Sequence, residues 1–99
     1  MDQAAVIEIL KKFKLLLSDH FNLNSLFLFG SYASGSQRED SDIDVAVVVN
    51  ELKGDFLPYT PLLWKLRRQI DPRIEPIIFE AGNDPSGFLE EIKNTGIEL

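Results

Sequence analysis

LFLFGSYASGSQREDSDIDVAVVV, Leu26 to Val49, is the stretch whose reading decides the fold. An apolar run, Leu26 to Phe29, stops at Gly30-Ser31; a polar connection follows, and Asp42-Ile43-Asp44 opens a second apolar run, Val45 to Val49. The pattern predicts a strand, a glycine turn, a short loop or helix, and a second strand. Side chains on a strand alternate between faces, so Asp42 and Asp44 project together while Ile43 and Val45 turn the other way. Two carboxylates therefore meet at one strand entrance. Like charges this close raise each other's pKa, and both stay ionised only with something positive between them. A divalent cation that prefers oxygen ligands meets that need.

An Asp-x-Asp by itself is weak evidence, because acidic residues at strand ends are commonly just solvated. Other motifs fail in their parts. Asp40, Asp42 and Asp44 imitate the first three ligands of an EF-hand loop, yet Val45 stands where that loop requires glycine. Gly30 and Gly35 copy the first half of a P-loop, but Ser36 and Gln37 occupy the positions of its Lys and Ser/Thr. No Gly-x-Ser-x-Gly elbow passes through Ser31 or Ser34.

The combination of Gly30-Ser31, ten intervening residues and Asp42-x-Asp44 resembles the signature of the nucleotidyltransferase superfamily built on the DNA polymerase β fold, and within it the minimal nucleotidyltransferase (MNT) domains. The likeness runs from the Phe27–Gly30 strand through Glu75–Phe79 to Gly96-Ile97. It implies an α/β (α+β) fold, a small mixed β-sheet flanked by helices. It also implies a third acidic residue on a neighbouring strand, usually Asp; here the assignment falls on Glu75, whose extra methylene loosens the geometry. Asp71 is the rival, but its place before Pro72 at a helix end predicts a turn role.

The 99 residues are expected to make one domain, 1–99. A 44% hydrophobic composition supports a folded globule. No apolar run exceeds strand length, so no membrane span is expected, and Met1 leads into a helical pattern without a signal core, which predicts a cytoplasmic location. The absence of cysteine excludes disulfides, thiol catalysis and cysteine-ligated zinc, and His20, the single histidine, reads as an ordinary helix-end residue. With 16 acidic against 10 basic residues and a net charge of −6, direct nucleic-acid binding is not expected. Lys65, Arg67, Arg68 and Arg73 gather as a solvated helix end or, as the second choice, a triphosphate or partner contact.

Along the chain, Ala5, Val6, Ile9, Leu10, Phe13, Leu16 and Leu17 recur at helical spacing behind a capping Asp2. Asn22 to Asn24 is expected to turn into the first strand, and the segment from Asn50 to Leu57 reads as a loop near the nucleotide. Thr60 as cap and Pro61 in the first turn open a second long helix that stops before Pro72. The third strand, Arg73 to Phe79, carries Pro76 and so belongs at a sheet edge. Glu75, Ile77 and Phe79 then share one face, acidic first and apolar after; Glu80 is assigned to the surface. Asn83-Asp84-Pro85 caps a short helix weakened by Gly87 and ended by Gly96, and Ile97 to Leu99 makes a strand fragment or tail.

By the resemblance, the reaction is metal-dependent transfer of AMP from ATP, with two Mg2+ ions held by Asp42, Asp44 and Glu75. Glu75 serves the ion nearest the acceptor and takes its proton. Gly30 lets the backbone approach the triphosphate, and Ser31 donates to it or caps the following helix; Tyr32 reads as packing or a nucleobase neighbour. The resemblance extends to the antitoxin halves of HEPN/MNT pairs, which implies a HEPN ribonuclease toxin as partner and a tyrosine hydroxyl as acceptor. Two further readings stand beside it: an inactive antitoxin that neutralises by binding, and an enzyme for a small hydroxylated acceptor.

Overall fold

The Asp2 carboxylate accepts a hydrogen bond from the Ala5 amide at 2.8 Å and so starts the first helix where the sequence places its cap. The computed structural model describes residues 1–51 and 59–99. In chain order they form α1 (Gln3–Ser18), β1 (Leu23–Phe29), α2 (Ser31–Ser34), β2 (Ile43–Val49), α3 (Tyr59–Ile70), β3 (Ile74–Glu80), α4 (Phe88–Thr95) and β4 (Ile97–Glu98). The strands make one mixed sheet in the order β3-β2-β1-β4. β1 is antiparallel to both β2 and β4, and β2 is parallel to β3. A parallel pair needs a crossover, and α3 supplies it.

Each face of the sheet has its own core. Leu26 and Leu28 of β1, Val45 and Val47 of β2, and Ile74 of β3 pack with buried residues of α1 and α3. Phe27, Ala46 and Val48 face the other way and meet Leu89 and Ile92 of α4. Gly96 lets α4 turn into β4, because a Cβ there would stand 2.6 Å from the Leu28 carbonyl and 2.7 Å from that of Ile92.

Several boundaries differ from the sequence expectation. β1 begins at Leu23, inside the expected turn: a bulge between Leu23 and Ser25 absorbs Asn24, whose side-chain amide donates to Asn50 Oδ1 at 2.9 Å. β3 starts at Ile74 because Arg73 is still in the turn, its amide bonded to the Asp71 carboxylate at 2.9 Å. α3 begins at Tyr59, so Thr60 lies inside it and Pro61 falls among the first-turn residues whose amides need no helical partner. Gly87 stands just outside α4 as its cap residue and leaves the first turn intact. Of the expected loop from Asn50, residues 52–57 lie outside the described residues.

Pro76 sits where it does no harm. Ile43 donates to the Arg73 carbonyl and Ala81 to that of Val49, which fixes the parallel ladder at both ends. Within it Glu75, Ile77 and Phe79 direct their backbone groups at β2, and Ile74, Pro76 and Ile78 direct theirs at the free edge. The missing proline N–H therefore removes nothing from the ladder and interrupts the outer row of donors.

Candidate active site

The end of the sheet where β1 leaves and β2 and β3 enter sets Asp44 beside Glu75, with Asp42 just ahead of β2. Asp44 pairs in register with Phe29 on one side and Glu75 on the other, so the last residue of β1 and the two carboxylates lie in one row across three strands. Asp42 is exposed, one residue ahead of β2; Asp44 and Glu75 are half-buried. Burial pushes the Asp44 carboxyl above the usual carboxylate range, and the charges of Asp42 and then Glu75 push it further. Asp42 stands outside β2, and what links it to Asp44 is its charge.

Gly30 makes this packing possible. Its φ of 76° and ψ of −151° are open only to glycine, and a Cβ there would lie 3.2 Å from Asp44 Cγ and closer still to Oδ2. The chain turns hard at the end of β1 and leaves that space to the Asp44 carboxylate. Ser31 is the first residue of α2, whose cap position is Gly30, so the reading of Ser31 as helix cap is not what forms. Tyr32 is fully buried among the α1-side core residues, and its hydroxyl has no hydrogen-bond partner among the described residues; of the two readings for Tyr32, packing is the one realised.

The expected basic cluster separates. Arg73 pairs with Asp71, Nη2 to Oδ2 at 2.6 Å and Nε to Oδ1 at 3.0 Å, and this hydrogen bonding holds the Asp71 carboxyl below its ordinary range. Asp71 is a turn residue, as its place before Pro72 predicts. Lys65 and Arg68 are exposed. Arg67 is neither solvated nor a loose cation: its side chain is only 15% exposed, and its guanidinium carbon lies 3.7 Å from the centre of the Trp64 ring. Nη1 donates to the carbonyls of Pro72 at 2.8 Å and Ile74 at 2.9 Å, and reaches Glu75 Oε1 at 3.5 Å. Its spacing of three from Trp64 was visible in the sequence; its contact with Glu75 depends on how α3 returns to the sheet.

The donor types, oxygen only, suit Mg2+ or Mn2+. Among the described residues, however, no three Asp, Glu, His or Cys side chains stand together so as to enclose a metal ion. Asp42 and Asp44 share the entrance of β2, while Glu75 is in contact with Arg67.

Residues 11–99 match the family model described as polymerase beta, nucleotidyltransferase. MJ0141 of Methanocaldococcus jannaschii, which carries the name protein adenylyltransferase, is 34% identical over 98 residues, covering 95% of this chain and 98% of the relative. A crystal structure from Sulfolobus solfataricus, named for a nucleotidyltransferase, superposes with a TM-score of 0.72 at 20% identity over 97% of this chain and 80% of that one. A toxin-antitoxin structure with AMP-PNP gives 0.61 at 22% identity, over 99% of this chain and 72% of that one. A mutant of the toxin-antitoxin MntA-HpeT gives 0.61 at 27% identity, over 90% and 68%.

Proposed function

Because the chain belongs to the polymerase beta nucleotidyltransferase family and is a nucleotidyltransferase, we propose that it transfers AMP from ATP to a tyrosine hydroxyl of a HEPN-type toxin, acting as the antitoxin. Asp44 carries this reading. A half-buried carboxylate seated on Gly30, with Asp42 and Glu75 adding negative charge, is costly in the empty protein and calls for a cation. The name of MJ0141 supports a protein acceptor, and the toxin-antitoxin structures, one with an ATP analogue, support the partner and the nucleotide.

In the proposed reaction the tyrosine oxygen bonds to the α-phosphorus as the bond from that phosphorus to the pyrophosphate oxygen breaks. Pyrophosphate leaves with the electron pair, and the phenolic proton passes to Glu75. Asp42, Asp44 and Glu75 would hold two Mg2+ ions, which when bound stabilise the attacking and leaving oxygens. Ser31, beside the glycine turn, would donate to the triphosphate. The reaction belongs in the cytosol, which fits a chain without cysteine and without, among the described residues, a helix long and apolar enough to cross a membrane.

One observation favours a second reading, a weakly active antitoxin that neutralises by binding: the Glu75 carboxylate is engaged by the Arg67 guanidinium, Oε1 to Nη1 at 3.5 Å. Incubating the protein with ATP, Mg2+ and the toxin encoded beside it, then weighing the intact toxin, separates the two. Added AMP units, lost in Asp44→Asn with the complex retained, support transfer; neutralisation of the toxin without any mass change defeats it.

A further inference from the structure

We infer that Arg67 is a latch that parks Glu75 against the free edge of β3, so that a divalent cation and the Arg67 guanidinium compete for the same carboxylate. The inference rests on the proposed reading of Glu75 as a metal ligand and adds a regulator to it. The direction of the contact carries the argument. The Ile74 carbonyl points away from β2, and Arg67 Nη1 is bonded to it at 2.9 Å, so the guanidinium stands beyond the outer edge of β3. Asp44 lies on the opposite side of Glu75, across the β2–β3 pair. A Glu75 carboxylate drawn to Arg67 is therefore drawn away from Asp44.

The distances decide which partner yields. Arg67 is fixed three times, by two carbonyls at 2.8 and 2.9 Å and by the Trp64 ring at 3.7 Å, whereas its contact with Glu75 is a single one at 3.5 Å. A charge-assisted bond is normally about 2.7–2.9 Å, so the ion pair is the weakest link of the set. The Glu75 side chain is also 38% exposed against 15% for Arg67. Glu75 is the member that moves. The same geometry gives a use to the departure from aspartate: an Asp at this position lacks the methylene needed to reach over the strand edge to Arg67.

Mn2+ titration of the metal-free protein, followed by the electron paramagnetic resonance of the free ion, tests the latch without any measurement of turnover. Arg67→Gln keeps a donor for the carbonyls and removes the charge; it should bind Mn2+ about two- to fivefold more tightly than the wild type, the range that a half-exposed ion pair is worth. Removing a nearby cation also relieves simple repulsion, so the comparison is repeated with Glu75→Gln, where no latch can operate. There, the Arg67→Gln change should give a clearly smaller gain, the part due to repulsion alone. A gain of equal size in both backgrounds means repulsion alone and overturns the latch, as does unchanged or weaker binding by Arg67→Gln when Glu75→Gln has lost affinity. If Glu75→Gln binds as tightly as the wild type, the ligand reading itself falls and takes the latch with it. Should Arg67→Gln fail to fold, Arg67→Lys, which cannot serve two carbonyls and a carboxylate at once, should give a smaller gain of the same sign.

Discussion

On the face of the sheet under α1 and α3, Leu26, Leu28, Ile43, Val45, Val47 and Ile74 are all fully buried; on the face under α4, Ile77 remains 42% and Phe88 40% exposed. The first face is covered by two helices of 16 and 12 residues, the second by one of eight. Phe29, Phe79 and Phe88 form an edge-on aromatic group on the second face, with ring centres 5.8 and 6.0 Å apart for the Phe29–Phe88 and Phe79–Phe88 pairs, and Phe29 shares its row of the sheet with Asp44 and Glu75. The difference separates two tasks. One face supplies stability by filling space, and the other stays partly open toward the acidic end at which the proposed reaction would admit a nucleotide.

The largest expected effect strikes the open face. Asp44→Asn should lower AMP transfer by about a thousandfold, several kcal/mol of lost transition-state stabilisation. The same variant should leave the metal-free fold at least as stable. The folded Asp44 carboxyl is raised from 3.8, so the native state holds a proton that the unfolded chain releases earlier, and stability falls as pH rises from about that value toward the raised one. Above that window the penalty is complete, and Asp44→Asn removes it. Thermal melts in chelator between pH 4 and 7 should show a wild type that loses stability with rising pH and a variant that loses less. A variant with the same slope would mean that the strain at Asp44 is not electrostatic.

Leu66→Ala is the counterpart on the closed face. Leu66 is a residue of α3 buried in the larger core, and its truncation should cost about 3 kcal/mol by denaturant unfolding. Folded protein should keep its transfer rate per molecule. A matching loss of transfer would show that the two faces are coupled through the sheet.

These two variants also mark what the sequence discloses. The unbroken apolar run from Val45 to Val49 announces a strand covered on both faces, and the three-and-four spacing of α1 announces the helix that covers one of them. The nearness of Asp42 to Asp44 is legible from their separation of two. The contact of Glu75 with Arg67 is not, since it depends on the crossover of α3 and on the parallel register that sets Asp44 against Glu75. Leu23 was hidden for a more local reason: a bulge at Asn24 breaks the alternation at the point where the strand begins.

Gly30→Ala should fall between the two faces in kind and below both in size. The conformation at Gly30 excludes a Cβ, and the carboxylate of Asp44 occupies its place, so the substitution should cost about 2 kcal/mol and also reduce transfer by displacing Asp44. Loss of stability with full transfer would show that the Asp44 position is set from β2 alone.

The smallest effect concerns the cover of the open face. α4 has only eight residues, too few to hold a helix by themselves, and its cap residue, Gly87, offers no side chain. Asp84 replaces the missing cap from three residues upstream: its two carboxylate oxygens accept from the Leu89 amide at 3.1 Å and the Glu90 amide at 2.9 Å. Asp84→Ala should cost about 1 kcal/mol, and Asp84→Asn, which keeps one acceptor oxygen, less than that. Because the lost bonds are confined to one end of α4, hydrogen exchange should quicken at Leu89 and Glu90 while the β2 amides keep their protection, and Mn2+ binding should not change. Equal quickening in β2 would make α4 an integral part of the sheet's stability and would erase the distinction between its two faces.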